Sequence, residues 1–188
     1  MQRRAESQDR THRRITESAV ELHGTIGPSR TTISAVAAHA GVRRSTVYRH
    51  FPDEDALFDA CSAHWASTNA PPDIAQWTAI EDPDERLEIA LAELYAFYGR
   101  SERMLDNLFR DEQTVEAVRE RFGHFRDYLA RAREALLAGR KARGAARRRT
   151  RAVLGHAIAF STWKSLVREE RLSDREAIAL MKRLVIHA

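Results

Sequence analysis

TTISAVAAHAGVRRSTVYRHF, residues 31–51, predicts two short helices joined by a tight turn, and this pair organises the rest of the chain. A hydroxyl at Thr31 or Thr32 can cap the first helix, because it can accept a hydrogen bond from an unpaired backbone amide. Gly41 predicts the turn, since glycine reaches positive φ at little cost. Pro52 ends the second helix, because proline disfavours helical backbone in the residue before it. This spacing is typical of a helix-turn-helix.

The flanking sequence predicts two further helices and a boundary. One runs from about residue 9 or 11 to residue 23 or 24 and completes a three-helix unit, and the polar residues before it are expected to fray. The other begins at the acidic residues 53–55, where amide dipoles favour negative charge, and ends near Asn69. Because the second helix of a helix-turn-helix enters the major groove of DNA, we expect a DNA-binding domain over residues 1–52, a connecting helix over 53–69 and a second domain over 70–188.

The remainder of the chain is also helical in pattern. Apolar residues at helical spacing predict helices at about 82–99, 101–109, 113–138, 146–170 and 173–186, with an ambiguous short turn or helix near Trp77. Gly99 is expected to end one helix, and Ser173 with Glu176 predicts a capping box at the last. No segment has the alternation of a strand. The fold class is therefore all-α, with about nine helices.

The positive charge is concentrated in the first part of the chain. The formal net charge is +4, but residues 1–52 hold nine arginines against four acidic residues, a net charge of +5, which suits a surface that binds phosphate. The only cysteine, Cys61, permits no intramolecular disulfide, and no apolar run is long enough to cross a membrane. We expect a cytoplasmic protein with no membrane partner.

The sequence contains no motif that indicates an enzyme. The eight histidines form neither an HExxH motif nor a His pair at i, i+4, and the chain has no glycine-rich phosphate loop and no GxSxG motif. Cys61 lies on an apolar helical face, where free cysteine usually packs as a small hydrophobic side chain. We expect no catalytic residue, no metal and no cofactor.

GPSRTTISAVAAHAGVRRSTVYRHFPDEDALF, residues 27–58, resembles the signature of the tetracycline-repressor (TetR) family of bacterial transcription regulators. The matching elements are the paired threonines, the Ala-Gly-Val turn of residues 40–42, the Tyr-x-x-Phe step of residues 48–51 and the Ala-Leu of residues 56–57. Residues 162–185, TWKSLVREERLSDREAIALMKRLV, resemble the last two helices of many members. The resemblance implies a DNA-binding unit followed by a helical bundle for ligand binding and dimerisation.

The resemblance also implies roles for eight residues in contact with double-stranded operator DNA. Phosphate and sugar contacts fall to Thr31, Thr32, Tyr48 and His50, and base edges are read by Arg43, Arg44, Ser45 and Thr46 at the exposed start of the second helix. The alternatives are a solvated face for the two arginines and a helix-end cap for His50. One residue departs from the pattern: Glu54 stands where many members carry a phosphate-binding lysine, so the helix that begins there is not expected to close on DNA in the usual way.

The same resemblance predicts a homodimer through the last two helices and a pocket for a small, hydrophobic or aromatic effector. The candidate pocket residues are Trp65, Phe97, Leu105, Leu108, Phe122, Phe125, Tyr128, His156, Phe160 and Trp163. Taken one at a time, each of these side chains is better explained as core packing, and only as a group do they suggest a pocket.

The sequence thus predicts a repressor that a ligand releases from its operator. Two alternatives remain: an activator or ligand-independent regulator with the same fold, and an all-helical protein that does not bind DNA. The arginine-rich run of residues 140–149 is open to two interpretations, a second nucleic-acid patch or a solvated loop with the start of a helix.

Overall fold

The computed structural model describes residues 2–188, with side chains from Ala5 onward, and these residues form ten α-helices and no strand. The all-α prediction is confirmed. The helices are α1 Gln2–Thr25, α2 Ile33–His39, α3 Arg44–His50, α4 Glu54–Thr68, α5 Ile74–Thr78, α6 Pro83–Asp111, α7 Glu116–Leu137, α8 Gly144–Ala157, α9 Phe160–Lys164 and α10 Asp174–Ile186. A 3₁₀ turn covers Pro28–Arg30, and a π-helical segment covers Ser165–Glu169.

The chain divides into two compact units. The first unit comprises the described residues up to Ala70 together with Ser101–Gly123, and the second comprises Pro71–Arg100 with His124–Ala188. These units group residues by packing and do not test functional domains at 1–52, 53–69 and 70–188, which stay predictions.

The first unit is built on the predicted helix-turn-helix. Its core collects apolar side chains of α1, α2, α3 and α4: Ile15, Ala19, Ile33, Val36, Ala37, Ala40, Val47, Phe51, Leu57 and Cys61. One expectation was wrong here, because α1 begins at Gln2 and includes the polar residues expected to fray. Once the buried part of α1 has formed, each further residue extends the helix at little cost in free energy.

The second unit has a core of large apolar and aromatic side chains. Leu87, Leu91 and Leu94 of α6 are fully buried, and Trp77 of α5 is buried with its indole N–H donating to Glu93 at 2.7 Å. The predicted starts of two helices are confirmed. Asp82 caps α6 through Asp84 N and Glu85 N, and Ser173 forms the capping box of α10.

Gly99 does not end a helix. The sequence predicts one helix that stops there and another from Ser101, whereas α6 runs unbroken from Pro83 to Asp111. A glycine inside a helix costs only about 1 kcal/mol relative to alanine. Burial of Tyr98 before it and of Leu105 after it outweighs that cost.

The long helix predicted over 146–170 is broken. α8 ends at Ala157, and Ala159 has the extended backbone angles φ −74° and ψ 138° before α9 begins. The hydroxyls of Tyr95 and Tyr98 donate to the backbone carbonyls of Ala157 and Ile158. These two carbonyls are thus satisfied by side chains from α6, and the helix can end without burying unpaired acceptors.

Candidate functional site

The helix-turn-helix is held by local hydrogen bonds and a small core. Thr32 caps α2, because its Oγ accepts from the amide of Ala35 at 3.1 Å, and Gly41 turns the chain with φ +61°. Val47 of α3 is fully buried, and Phe51 is buried directly after the helix. Local sequence chemistry therefore places α2 and α3 as predicted.

The exposed face of α3 carries the residues predicted to read base edges. Arg43 precedes the helix, and Arg44 and Ser45 lie in its exposed first turn, while Thr46 is half-buried. In the described part of the chain, neither Arg43 nor Arg44 forms an ion pair, so their guanidinium donors face solvent. Tyr48 is also exposed, with 43% of its surface accessible. This face can offer several donors to a nucleic acid.

The two threonines before α2 differ in what they can donate. The hydroxyl of Thr31 donates to the carbonyl of Gly27 at 2.8 Å, so its proton is already used. The oxygen of Thr32 accepts from Ala35, which leaves its proton free for a phosphate oxygen. Of the two predicted phosphate contacts, Thr32 is ready as it stands, and Thr31 has to turn its hydroxyl first.

His50 lies in a small aromatic group at the end of α3. Its ring centre is 6.1 Å from that of His12, and His12 packs on Phe51 at 4.5 Å. Burial, the positive charge of Arg49 and the neighbouring ring of His12 lower the pKa of His50 below its usual value. At neutral pH the ring is therefore mostly uncharged, and it can donate an N–H to phosphate or sugar without adding a full charge.

The acidic start of α4 is partly neutralised from another helix. Asp53 caps α4 by accepting from Ala56 N at 2.7 Å, and Arg121 of α7 pairs with Asp59 at 2.6 Å and Asp55 at 3.5 Å. Arg121 was missed by the sequence analysis, because no local pattern indicates a partner more than sixty residues away. Glu54 lies exposed in the first turn of this helix.

The ten candidate pocket residues fall in both units. In the first unit, Leu105 is fully buried, and Phe122 packs edge-on against Phe109 at 4.8 Å, while Trp65 and Leu108 are half-buried. Leu105 and Phe122 are therefore accounted for as core packing.

In the second unit, most of the candidates form one aromatic cluster. Phe97, Phe125 and Tyr128 contact in series, and Phe160 and Trp163 both pack against Tyr98. His156 is exposed, and its Nδ1 lies 3.1 Å from the hydroxyl of Thr162. The structure therefore brings the aromatic candidates of this unit together and leaves His156 outside the cluster.

A cleft of about 160 Å³ opens in the first unit beside the start of α2. Its lining includes Thr31, Thr32, Glu54 and the buried ring of His23, and none of the ten candidate pocket residues. The cleft thus borders the residues expected to contact phosphate.

The arginine-rich run of residues 140–149 is not uniform. Arg140 pairs with Asp84 at 2.8 Å and donates to the carbonyls of Pro83 and Leu136, and Arg149 donates to the carbonyl of Ala188. Arg147 and Arg148 are exposed on α8. Part of the run therefore holds the second unit together, and part of it faces solvent.

Two features are absent from the described residues. No group of three or more His, Cys, Asp or Glu side chains is placed to hold a metal ion. No helix among these residues is both long and apolar enough to span a bilayer.

Comparison with protein families gives one match, to the bacterial regulatory proteins of the tetR family, over residues 15–61. These residues contain α2, α3 and about half of each of α1 and α4. They include the exposed arginine face of α3. No curated protein sequence matches the chain.

Solved structures with this fold cover nearly the whole chain. A TetR-like transcriptional regulator from Rhodococcus sp. RHA1 has a TM-score of 0.65 and 17% identity, covering 94% of each chain. The fatty acid degradation regulator FadR from Bacillus halodurans has a TM-score of 0.59 and 15% identity, covering 94% of each chain. The multidrug binding protein EbrR, complexed with imidazole, has a TM-score of 0.56 and 22% identity, covering 92% of this chain and 93% of its own.

Proposed function

We propose that this chain, a DNA-binding transcriptional regulator of the TetR family, is a homodimeric repressor. A small hydrophobic or aromatic ligand releases it from its operator. The observation that carries the proposal is the face of α3, where Arg43 and Arg44 are exposed above the fully buried Val47. A face of free donors on a firmly held helix suits the major groove. Its site of action is the cytoplasm, where the operator DNA of a bacterial regulator lies.

The hydrogen-bond donors of each residue determine the role proposed for it on DNA. Arg44 presents a guanidinium that can bind guanine O6 and N7 as a pair of acceptors, with Arg43, Ser45 and Thr46 beside it. Thr31, Thr32, Tyr48 and His50 contact phosphate and sugar and set the register. In a homodimer, two copies of α3 address half-sites of a pseudo-palindrome about one helical turn apart.

The dimer interface is proposed to be formed by α10 with the α8–α9 segment before it. Leu184 and Ile186 of α10 are 47% and 46% exposed, while Met181 and Val185 of the same helix are buried in their own unit. Exposed large apolar side chains on a terminal helix favour pairing with a second copy, because a two-fold axis places the same surface on both partners.

The effector is proposed to bind among the candidate residues of the second unit, where the aromatic cluster around Phe97 and Phe160 lies. Side chains of this kind favour apolar or aromatic ligands, which they bind by burying apolar surface. Proteins of similar fold include the fatty acid degradation regulator FadR and the multidrug binding protein EbrR, the latter complexed with imidazole. These two proteins guide the choice of compounds to test.

Selection of duplexes from random DNA by the purified protein tests the proposal that it binds DNA sequence-specifically as a dimer. We expect a pseudo-palindromic motif, bound by a dimer in sedimentation, with affinity that falls about a thousandfold or more between 50 and 200 mM salt if six or more phosphates are contacted. Recovery of no motif, together with equal binding to random duplexes, would refute sequence-specific regulation.

Release from the selected duplex separately tests the proposal that a small-molecule effector removes the protein from DNA. A panel of aromatic and long-chain aliphatic compounds is added to the complex, and release is followed by fluorescence anisotropy. A repressor of the proposed kind is released by at least one compound of the panel. A complex that resists them all supports the ligand-independent alternative, and a compound that tightens binding supports a regulator with the opposite response.

A further inference from the structure

Three side chains at the end of α6 bind the chain segment that leads into the helix-turn-helix. Asn107, Arg110 and Asp111 belong to the first unit, as does the segment they hold, which runs from His23 at the end of α1 to Ser29 in the 3₁₀ turn. We name this set of contacts the α6 clasp. None of its three donor or acceptor side chains lies within residues 15–61, which match the family.

The clasp centres on the carboxylate of Asp111, which is only 2% exposed. Its Oδ2 accepts the backbone N–H of Ser29 at 2.9 Å, and its Oδ1 accepts Nε of Arg110 at 2.7 Å. Burial raises the pKa of Asp111, but hydrogen bonds from Arg110 and Ser29 lower it by more, so the net pKa lies below the usual value. The group is therefore a carboxylate at neutral pH, and it accepts from both partners.

The other two side chains satisfy carbonyls where α1 ends. Arg110 donates to the carbonyl of Ile26 at 3.2 Å, and Asn107 donates to the carbonyl of His23 at 2.8 Å. Asn107 Oδ1 in turn accepts from Arg110 at 2.8 Å, which joins all three side chains in one network. Since the last carbonyls of a helix lack partners within it, this network determines how the chain leaves α1.

Gly27 is the residue that lets the clasp close. Its φ of +92° is unfavourable for other residues, and a Cβ at this position would collide with the guanidinium of Arg110 and lie 2.6 Å from Asp111 Oδ2. A glycine here thus meets two requirements at once, the turn and the close approach of α6.

The clasp lies a short distance along the chain from the DNA-reading helices. Only two residues separate Ser29 from Thr32, the cap of α2, and α2 shares its core with Val47 of α3. A shift of the 3₁₀ turn therefore moves the start of α2, and with it the surface on which α3 rests.

We infer that Asp111 is a positioning residue for DNA binding: by holding Ser29 it sets where α2 begins, and so where α3 presents Arg43 and Arg44. The carboxylate itself touches no DNA in this role. The inference concerns DNA binding alone and does not depend on an effector.

The test uses Asp111→Asn in the full-length protein, with Glu116→Gln as the matched control. Glu116 is an exposed carboxylate in the first turn of α7 in the same unit, so it reproduces the change in charge without touching the clasp. Dissociation constants are measured on the duplex selected by the wild-type protein and on a scrambled duplex, well below the melting temperature of each variant. We expect Asp111→Asn to weaken the selected duplex about tenfold and the scrambled duplex less than twofold, with Glu116→Gln near wild type on both.

A purely structural role for Asp111 would give a different pattern. It would lower the melting temperature but leave both dissociation constants of the folded protein unchanged, and that result would overturn the inference. Equal loss on both duplexes would overturn it as well, because it would indicate general disruption of the DNA-binding surface and not lost positioning of α3.

Arg110→Gln provides a second route if Asp111→Asn does not fold. The Arg110 side chain is 49% exposed, so its replacement leaves the core intact while removing the donors to Asp111 and Ile26. A loss of about threefold confined to the selected duplex supports the inference, and unchanged binding of both duplexes contradicts it.

Discussion

The arginines of α3 look like Arg86 at the start of α6 and Arg140 just after α7 in the sequence, but the two sets have opposite surroundings. Arg44 is exposed, and no described residue pairs with it. Arg86 is 6% exposed and donates to the carbonyls of Ile80, Ala135 and Ala138, while the Arg140 side chain is 10% exposed and pairs with Asp84. A guanidinium whose donors are used internally stabilises the fold, and one whose donors are free can bind phosphate or a base.

The largest effect is expected for Arg86→Met, which keeps an unbranched apolar side chain and removes the guanidinium. Several buried carbonyls at the end of α7 and after α5 would lose their donor, so the free energy of unfolding should fall by about 3 kcal/mol. Urea denaturation measures the loss. Arg148→Met, at an exposed position on α8, is the control and should stay within about 0.5 kcal/mol of wild type. A loss below about 1 kcal/mol for Arg86→Met would mean that water replaces the guanidinium.

Arg44→Ala should weaken DNA binding and leave the free energy of unfolding nearly unchanged, in contrast to Arg86→Met. We expect a loss of about 1–3 kcal/mol in binding of the selected duplex and relaxed preference at one position of the half-site, because a paired contact to guanine is removed. The free energy of unfolding should change by less than about 0.5 kcal/mol, since the side chain has no partner in the described structure. If affinity and preference both survive, Arg44 does not read a base.

His23 offers a pH-dependent contrast to the exposed face of α3 within the same unit. Burial lowers its pKa from 6.5 to about 4, against a smaller opposing effect of Asp111, and its ring lies against Phe58 and the thiol of Cys61. The unfolded chain therefore binds the proton more tightly, and stability falls as the pH drops from about 6.5 towards 4.

Between pH 7.5 and 5.5 this group should cost about 1 kcal/mol of stability. His23→Phe removes the titrating group while keeping an aromatic ring, so the difference in stability between variant and wild type should shift in favour of the variant as the pH falls. Urea denaturation at the two pH values measures it. A difference that is the same at both pH values would show that His23 does not titrate in this range.

The smallest effect is expected for Arg147→Ala combined with Arg148→Ala. Both side chains are exposed, and the solvated interpretation of this run predicts unfolding within about 0.5 kcal/mol of wild type and duplex binding within about twofold. Phosphate contact by these residues would instead reduce the slope of affinity against salt by about 1 for each lost contact. Salt titration of duplex binding therefore separates the two interpretations of residues 140–149.

Sequence patterns were sufficient where structure depends on neighbours along the chain. The cap at Ser173 and the turn at Gly41 were both predicted, because capping and turn preferences act over three or four residues. The same local rules failed at Gly99 and at Ile158. There, packing against distant side chains outweighed the preference of the segment itself.

The candidate site divides in the same way. The exposed residues of α3 follow from local pattern and family resemblance, whereas Arg121 and Asp111 could not be found, since each meets its partner across more than sixty residues of sequence. The ten candidate pocket residues and the eight DNA contacts stay predictions, although the structure has placed every one of them.

By itself the sequence determined an all-helical chain, a helix-turn-helix with an arginine-rich face and the family of its DNA-binding domain. Only the tertiary structure decided which charged groups have their hydrogen bonds satisfied internally: Arg86, Arg140 and Asp111 are held by the fold, and Arg43 and Arg44 are not. The physical reason is the distance along the chain over which each interaction acts. Helix propensity and capping are encoded within one turn, but the partner of a buried guanidinium or carboxylate is chosen only when distant segments pack together.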